Sequence, residues 1–248
     1  MKRNKVTGIL LTVCLVILSG GAVYFGMGIY RDAAPLITSE GYYKSLRKDI
    51  YTGKDINTGK ETGQIPDVKK LNSLNQDGTA WLTSPGTTID YPVVQGEDND
   101  YYLHHLSDGT PNEIGAIFLD YRNKPDFTGD ISVIYGHHIT LGRMFSPLSS
   151  YKEQRYYEEH PRMILYTRDK TYDVELFAGN ILSGNEGFPL NFQTGKEKKA
   201  WIQEIIGKST FSSGITPKKD DRILVLCTCS YEFSNARYAV FGKLTEHL

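Results

Sequence analysis

A thiol at the end of an apolar run is the first feature of this sequence that could do chemistry. Residues 223–229, Ile-Leu-Val-Leu-Cys-Thr-Cys, are typical of a buried strand that ends at Cys229. A side chain at the exit of such a strand lies where the core meets solvent, which suits a nucleophile. Free cysteines are more often small core residues, so the interpretation depends on the residues that accompany Cys229.

An arginine follows the cysteine at a distance that suits a pair of neighbouring strands. Arg237 lies eight residues beyond Cys229 and precedes a second apolar run, residues 238–244. If residues 231–236 form a hairpin-like connection, the two side chains face each other across adjacent strands. The guanidinium could then stabilise a thiolate or a developing oxyanion, although an isolated arginine is equally compatible with an ordinary surface position.

A histidine comes at the end of another predicted strand. Residues 132–135, Ser-Val-Ile-Tyr, are followed by Gly136, which we interpret as a turn residue, and by His137. An imidazole at a strand end can act as a general acid towards a leaving amine and as a base towards an incoming one. We interpret the neighbouring His138 as an exposed loop residue.

The other cysteines give no disulfide framework and no metal site. The chain has three cysteines, of which Cys14 lies in an N-terminal apolar segment. Cys227 and Cys229 would be neighbours on one face of a strand, with parallel side chains that are poorly placed for a bridge. Cys-x-Cys and adjacent histidines also lack the usual ligand spacing of zinc sites. We therefore expect no metal and no cofactor.

The N-terminus predicts a membrane anchor. Residues 8–30 contain no charged residue, and a helix of that length spans the roughly 30 Å hydrocarbon core. Three basic residues precede it, so residues 1–7 are expected in the cytoplasm and the rest of the chain outside, a single-pass type II topology. The alternative is a cleaved signal peptide, with the small residues 19–22 as its processing site.

The remainder divides into a helical extension and a β-rich domain. Residues 31–80 carry two apolar stripes at helical spacing, Tyr43, Leu46 and Ile50 and then Val68, Leu71 and Leu74. Residues 81–248 carry short β-rich runs that favour a closed barrel or a sandwich. One amphipathic helix, residues 196–206, interrupts them. The predicted strands are 87–94, 116–120, 132–135, 163–167, 171–178, 223–228 and 238–244.

Taken together, these motifs resemble the sortase family, and class B sortases in particular. Tyr-Gly-His137, Leu-x-Thr-Cys229 and the downstream Arg237 carry the resemblance. It extends over residues 66–248 through further segments that look like those of class B members, namely Trp81-Leu82, 89–94, 98–103, 115–122, Met144-Phe145 and the helix before the cysteine strand.

The resemblance implies an eight-stranded β-barrel and a cysteine transpeptidase. Such an enzyme cleaves a C-terminal sorting motif of an exported protein after threonine, through a thioacyl-enzyme, and joins the product to an amine of the cell wall or of a pilin. It implies Cys229 as nucleophile, His137 as acid and base, and Arg237 as stabiliser of the oxyanion or thiolate. Further residues match positions that line the substrate groove of relatives: Asn99, Leu103, Cys227 and Thr228.

The sequence departs from the family pattern at two positions beside the nucleophile. Cys227 stands where class B members often have serine, and it adds a second oxidisable thiol. Ser230 stands where some relatives have an acid, so that the nearest carboxylate is that of Glu232.

Two other functions remain open from the sequence. An extracellular cysteine peptidase or amidase would act by hydrolysis, but papain-like enzymes place the cysteine before the histidine, the reverse of the order here. A non-enzymatic surface-binding barrel would tolerate loss of the thiol. Basic residues number 28 and acidic residues 29, so composition gives no indication of a nucleic-acid partner.

Overall fold

The computed structural model describes residues 2–52, 65–139 and 142–247. Within the N-terminal helix, the side chains of residues 2–14, 16 and 32 lie outside the described part. The chain forms two compact units, Met1–Tyr42 and Tyr43–Leu248. The first is helical, and the second contains every strand of the described chain.

The helix α1 is Lys2–Ile50, and the part of it before Tyr43 belongs to the first unit. The predicted anchor, residues 8–30, lies within α1, but most of the side chains of its first half are outside the described part. Over the described residues, no helix combines the length and the apolar character needed for a membrane crossing. The anchor over residues 8–30 therefore stays a prediction.

Both helices predicted for the extension are present. Tyr43 and Ile50, in the last turns of α1, are buried, and the Tyr43 hydroxyl donates to the carbonyl of Gly115 at 3.0 Å. The second helix, α2, is Val68–Leu74. Its Leu74 is exposed, contrary to the predicted stripe, because the helix ends there.

Eight of the described strands close into a barrel. The resemblance implied such an eight-stranded barrel. The described strands are β1 Tyr51–Thr52, β2 Ile65–Pro66, β3 Gly78–Thr83, β4 Asp90–Val94, β5 Ile117–Leu119, β6 Ile131–Tyr135, β7 His138–Ile139, β8 Arg143–Met144, β9 Arg162–Thr167, β10 Thr171–Ser183, β11 Arg222–Ser230 and β12 Ala236–Glu246. Their order around the barrel is β10-β12-β11-β6-β5-β4-β3-β9, and two short pairs, β1 with β2 and β7 with β8, lie outside it.

The barrel is antiparallel except at two places. β4 pairs with β5 in parallel, and β6 pairs with β11 in parallel with Tyr135 opposite Cys227. Parallel neighbours end at the same edge of a sheet. The ends of β6 and β11 therefore lie side by side, at the edge where the candidate residues are found.

The strand β10 continues five residues beyond the predicted end at Ala178. Gly179 and Asn180, which follow that predicted end, are residue types common in turns. In the structure both are buried in the strand, which passes a register shift between Leu176 and Ala178. A Cβ on Gly179 would lie 2.3 Å from the Tyr238 hydroxyl oxygen, so this glycine allows close packing rather than a turn.

Two further helices complete the second unit, α3 Gln154–Glu159 and α4 Gly195–Gly207. The helix α4 matches the predicted helix before the cysteine strand. Its Ile202 and Ile205 pack in a core cluster with Val133 of β6 and Val225 of β11. The helix therefore covers the two strands whose ends carry the candidate site.

Candidate active site

Cys229 and Arg237 are direct partners across two antiparallel strands. Cys229 is the penultimate residue of β11, and Arg237 is the second residue of β12. Arg237 Nη1 donates to Cys229 Sγ at 3.2 Å. The predicted juxtaposition is therefore present, and it places a permanent positive charge beside the half-buried sulfur.

His137 reaches the same edge because β6 runs parallel to β11. The backbone N–H of Gly136 donates to the carbonyl of Cys227 at 3.1 Å, and Thr228 Oγ1 donates to the carbonyl of Gly136 at 2.8 Å. These two bonds fix the backbone just before His137 against the strand that carries the nucleophile.

Gly136 is required for packing rather than for a turn. Its φ angle is not in the left-handed region, in contrast to the role we expected from the sequence. A Cβ at this position would lie 2.7 Å from Ile117 Cγ2 and 2.8 Å from a ring carbon of Phe145, closer than real Cβ contacts. The absence of a side chain lets the strand end pack tightly under the histidine.

The hydrogen bond of His137 fixes which ring nitrogen can exchange protons. His137 Nε2 lies 2.8 Å from the carbonyl oxygen of Leu103. A carbonyl oxygen can only accept, so Nε2 carries a proton. Nδ1 is then the nitrogen that is available to accept or donate a second proton. In the described part of the chain, no carboxylate hydrogen-bonds this imidazole.

All seven predicted site residues line one cleft of about 480 Å³. Sequence reasoning missed the other lining residues, which come from β5, from the end of β6 and from the last residues of β10 with the segment that follows it. Because we predicted that β10 ends at Ala178, its last residues were not placed beside Arg237. The additional lining residues are Phe118, Tyr135, Gly136, Leu182, Ser183, Gly184, Glu186 and Phe188.

Three of the predicted groove residues have polar groups that already form hydrogen bonds within the protein. The Thr228 hydroxyl is engaged by Gly136, as described above, and the Leu103 carbonyl accepts from His137. Asn99 Oδ1 accepts from the backbone N–H of Tyr121 at 3.1 Å. Of these residues, Asn99 retains an N–H group that can face the cleft.

The two neighbouring thiols have different environments. Both cysteines are free, as expected from their strand spacing. Cys227 is buried, and burial raises the pKa of its thiol to about 12, although the charge of Arg237 opposes this. At neutral pH Cys227 is therefore a neutral thiol in the floor of the cleft.

The residues after the nucleophile form a polar cluster away from His137. Lys152 Nζ donates to Ser230 Oγ at 2.9 Å and forms an ion pair with Glu232, to which Ser230 Oγ also donates. Glu232 is thus engaged by Lys152 and Ser230 and does not contact the imidazole. His138 is half-buried in β7, not in an exposed loop, and its ring contacts that of Tyr231.

The described residues contain no group of three or more His, Cys, Asp or Glu side chains that could hold a metal ion.

Comparison with known proteins identifies the family. The Sortase domain family model matches residues 82–245. Sortase B of Listeria monocytogenes is 34% identical over 203 residues, which cover 79% of this chain and 81% of the relative. Two solved structures match with similar extent. Sortase B of Clostridium perfringens is 32% identical with a TM-score of 0.68, and it covers 71% of this chain and 98% of its own.

The sortase B structure from Bacillus anthracis gives a TM-score of 0.74 at 26% identity, and the match covers 85% of this chain and all of that one. The closed eight-stranded barrel and its helices agree with these matches. The chain therefore belongs to the sortase family of cysteine transpeptidases.

Proposed function

We propose that Cys229 is the nucleophile of this enzyme, His137 its general acid and base, and Arg237 the group that stabilises negative charge. The observation that carries the proposal is the 3.2 Å contact of Arg237 Nη1 with Cys229 Sγ, in a cleft that His137 also lines. A thiolate is the nucleophilic form of cysteine, and a guanidinium beside the sulfur favours it.

In the first half of the reaction, the Cys229 thiolate attacks the carbonyl carbon of the threonine in the sorting motif. The carbonyl oxygen becomes negative, and the second nitrogen of the Arg237 fork is suited to stabilise it. His137 Nδ1 then donates a proton to the leaving amine, since Nε2 is held by Leu103. The C–N bond breaks, and a thioester remains on Cys229.

In the second half, an amine takes the place of the leaving group. His137 Nδ1 accepts a proton as this amine attacks the thioester, and the C–S bond breaks to release the joined product and the thiolate. We propose that the donor is a surface protein with a C-terminal sorting motif, and that the acceptor is an amine of peptidoglycan, of its precursor or of a pilin.

A library screen tests this proposal. The full-length enzyme is incubated with random pentapeptides, and cleaved peptides and acyl adducts are identified by mass. Cleavage after threonine with an adduct on the peptide that contains Cys229 supports it. Hydrolysis without aminolysis in the presence of amine acceptors would favour a peptidase instead, and complete absence of cleavage would contradict the transpeptidase proposal.

We further propose that residues 8–30 anchor the enzyme, with residues 1–7 in the cytoplasm, residues 31–80 as a helical linker and residues 81–248 as an extracellular catalytic barrel. The support is the uncharged composition of residues 8–30 and the basic residues before them. Protease added outside intact protoplasts should digest the barrel and leave a short membrane-bound fragment. Release of a form that begins near Ala22 would show cleavage of a signal peptide instead.

A further inference from the structure

A buried carboxylate, that of Asp120, lies behind Tyr135, a residue that lines the cleft. Asp120 follows β5, and its side chain is completely inaccessible to solvent. Arg122 holds it with two hydrogen bonds, Nε to Oδ1 at 2.9 Å and Nη2 to Oδ2 at 2.7 Å. The backbone N–H of Arg122 donates to Oδ1 as well, at 3.0 Å.

These contacts keep Asp120 ionised. Burial by itself would raise the pKa of the carboxyl, but the side-chain and backbone hydrogen bonds of Arg122 outweigh it, and the pKa is lowered from its ordinary value. An ionised carboxylate can only accept hydrogen bonds. Every other group that forms a hydrogen bond with the Asp120 carboxylate must therefore be a donor.

One of these donors belongs to a residue that lines the cleft, since the Tyr135 hydroxyl donates to Asp120 Oδ2 at 3.2 Å. Asn99, a second lining residue, is held through the backbone N–H of Tyr121, the residue after Asp120, which donates to Asn99 Oδ1 at 3.1 Å. Tyr135 remains a neutral phenol, because burial and the charge of Asp120 raise its pKa. Its ring is held from one side by Phe118, with centroids 5.6 Å apart.

The contacts fix the orientation of both polar groups. Asn99 directs its oxygen to the N–H of Tyr121, so its amide N–H is the group that it can offer to a ligand. The Tyr135 proton is used by Asp120, so its oxygen offers a lone pair. An extended peptide presents carbonyl and N–H groups in turn, which suits a wall with one donor and one acceptor.

We propose that Asp120 is a positioning residue that orients Tyr135, so that Tyr135 and Asn99 together bind the backbone of the sorting peptide. This inference rests on the proposed function. Asp120 lies behind the cleft wall rather than in the cleft, and it acts on the peptide only through the residue in front of it. Among the described contacts, Cys229, His137 and Arg237 are not hydrogen-bond partners of Asp120.

The test separates peptide positioning from the reactivity of the thiol. Asp120→Asn keeps the shape of the side chain but replaces one of its two acceptor oxygens by an N–H group, whereas the Tyr135 hydroxyl needs an acceptor. Two quantities are measured in the full-length enzyme: kcat/KM for the pentapeptide that the wild type cleaves fastest, and the rate at which iodoacetamide alkylates Cys229. We expect kcat/KM to fall by roughly 10-fold or more, since misplacement by 1 Å can cost about 100-fold. The alkylation rate should stay within about twofold of the wild-type rate.

A double-mutant cycle adds a second criterion. Tyr135→Phe keeps the ring and removes the hydroxyl, so it should lower kcat/KM in the wild-type background and have little further effect in Asp120→Asn. Asp126→Asn is the matched control, because Asp126 is an exposed carboxylate in the same loop that binds Thr128 outside the cleft. This control should cleave the peptide at the wild-type rate.

Each alternative outcome has a definite meaning. If Asp120→Asn cleaves as fast as the wild type, or loses thiol alkylation in parallel with cleavage, Asp120 has no positioning role. If Asp120→Asn does not fold, Tyr135→Phe and Asn99→Ala are decisive, and wild-type kcat/KM in both overturns the inference. If the wild type itself cleaves no pentapeptide, the proposed function fails first and the inference fails with it.

Discussion

Arg237 and Cys229 are register partners on β12 and β11, and the guanidinium Nη1 lies 3.2 Å from the sulfur. The antiparallel pairing of β11 with β12 sets this proximity, because it fixes the backbone of both residues. A charge that is held in place before the substrate arrives needs no rearrangement during the reaction, which is the condition for efficient electrostatic stabilisation.

Cys229→Ala should abolish peptide cleavage, and Cys227→Ser should retain most of it. The reason is that Cys227 is a buried, neutral thiol, whereas the Cys229 sulfur accepts the hydrogen bond of Arg237. Trapping the acyl-enzyme and mapping the adduct by mass checks this assignment. An adduct on Cys227 in the wild type would show that the roles of the two thiols are reversed.

Arg237→Ala and Arg237→Lys should both slow the reaction severely, with little change in the thermal midpoint. Loss of one oxyanion donor typically lowers kcat by about 10²–10³, and lysine keeps the charge but loses the planar fork. Measurements of kcat/KM and of Tm for both variants check the prediction. Recovery of activity in Arg237→Lys together with loss of stability in Arg237→Ala would indicate a structural arginine.

Gly136→Ala should destabilise the fold and lower activity together. The added methyl group would meet Ile117 and Phe145 at less than 3 Å, and overpacking of this kind typically costs about 1–3 kcal/mol. Gly207→Ala is the matched control, since its Cβ would meet no atom within 4 Å at the end of α4. The free energy of unfolding of both variants, measured by urea titration, checks the prediction. Equal values for the two variants would contradict the proposed packing role of Gly136.

Glu232 should contribute stability that disappears in acid. Burial opposes ionisation, but hydrogen bonds from Lys152 and Ser230 dominate and lower the pKa of Glu232 from 4.5 to about 2. The contribution is therefore complete above pH 4.5 and is lost as the pH falls towards 2. Its size should be about 0.2–1 kcal/mol, because the pair is partly exposed.

The stability difference between the wild type and Glu232→Gln should therefore shrink between pH 5 and pH 3 in urea titrations. Glu97→Gln is the control, since Glu97 is exposed and no described contact engages its carboxylate. A difference that stays constant over this range would show that the ion pair with Lys152 does not stabilise the fold.

Much of the site was predictable because it depends on strand ends. The apolar runs before His137 and Cys229 and the eight-residue spacing to Arg237 indicate where strands stop, and the structure has these residues in one cleft. Burial patterns are repeated along a strand and can be read from one chain. The neighbours of those strands in the barrel cannot be read in this way, and the parallel pairing of β6 with β11 was not predicted.

The unpredicted features arise from tertiary packing that overrides local preference. Gly179 resembles a turn residue but lies within β10, because Tyr238 fills the space that a side chain would need. Tyr135 appeared as the last residue of a strand, and nothing near it in sequence indicates that its hydroxyl meets Asp120. Contacts between polar groups of different elements need the assembled barrel to be recognised.

The parallel pairing of β6 and β11 also governs when the enzyme acquires its reactivity during folding. Gly136 and Thr228, which join the two strand ends, are 92 positions apart in the chain. Contacts at such sequence separation form slowly, because the loop between them must be closed before the contact stabilises anything. Arg237 can meet Cys229 through a local hairpin, but His137 arrives only with closure of the barrel. If the site works as proposed, a partly folded chain brings the thiol and its cation together without the imidazole, and transpeptidase activity requires the fully folded domain.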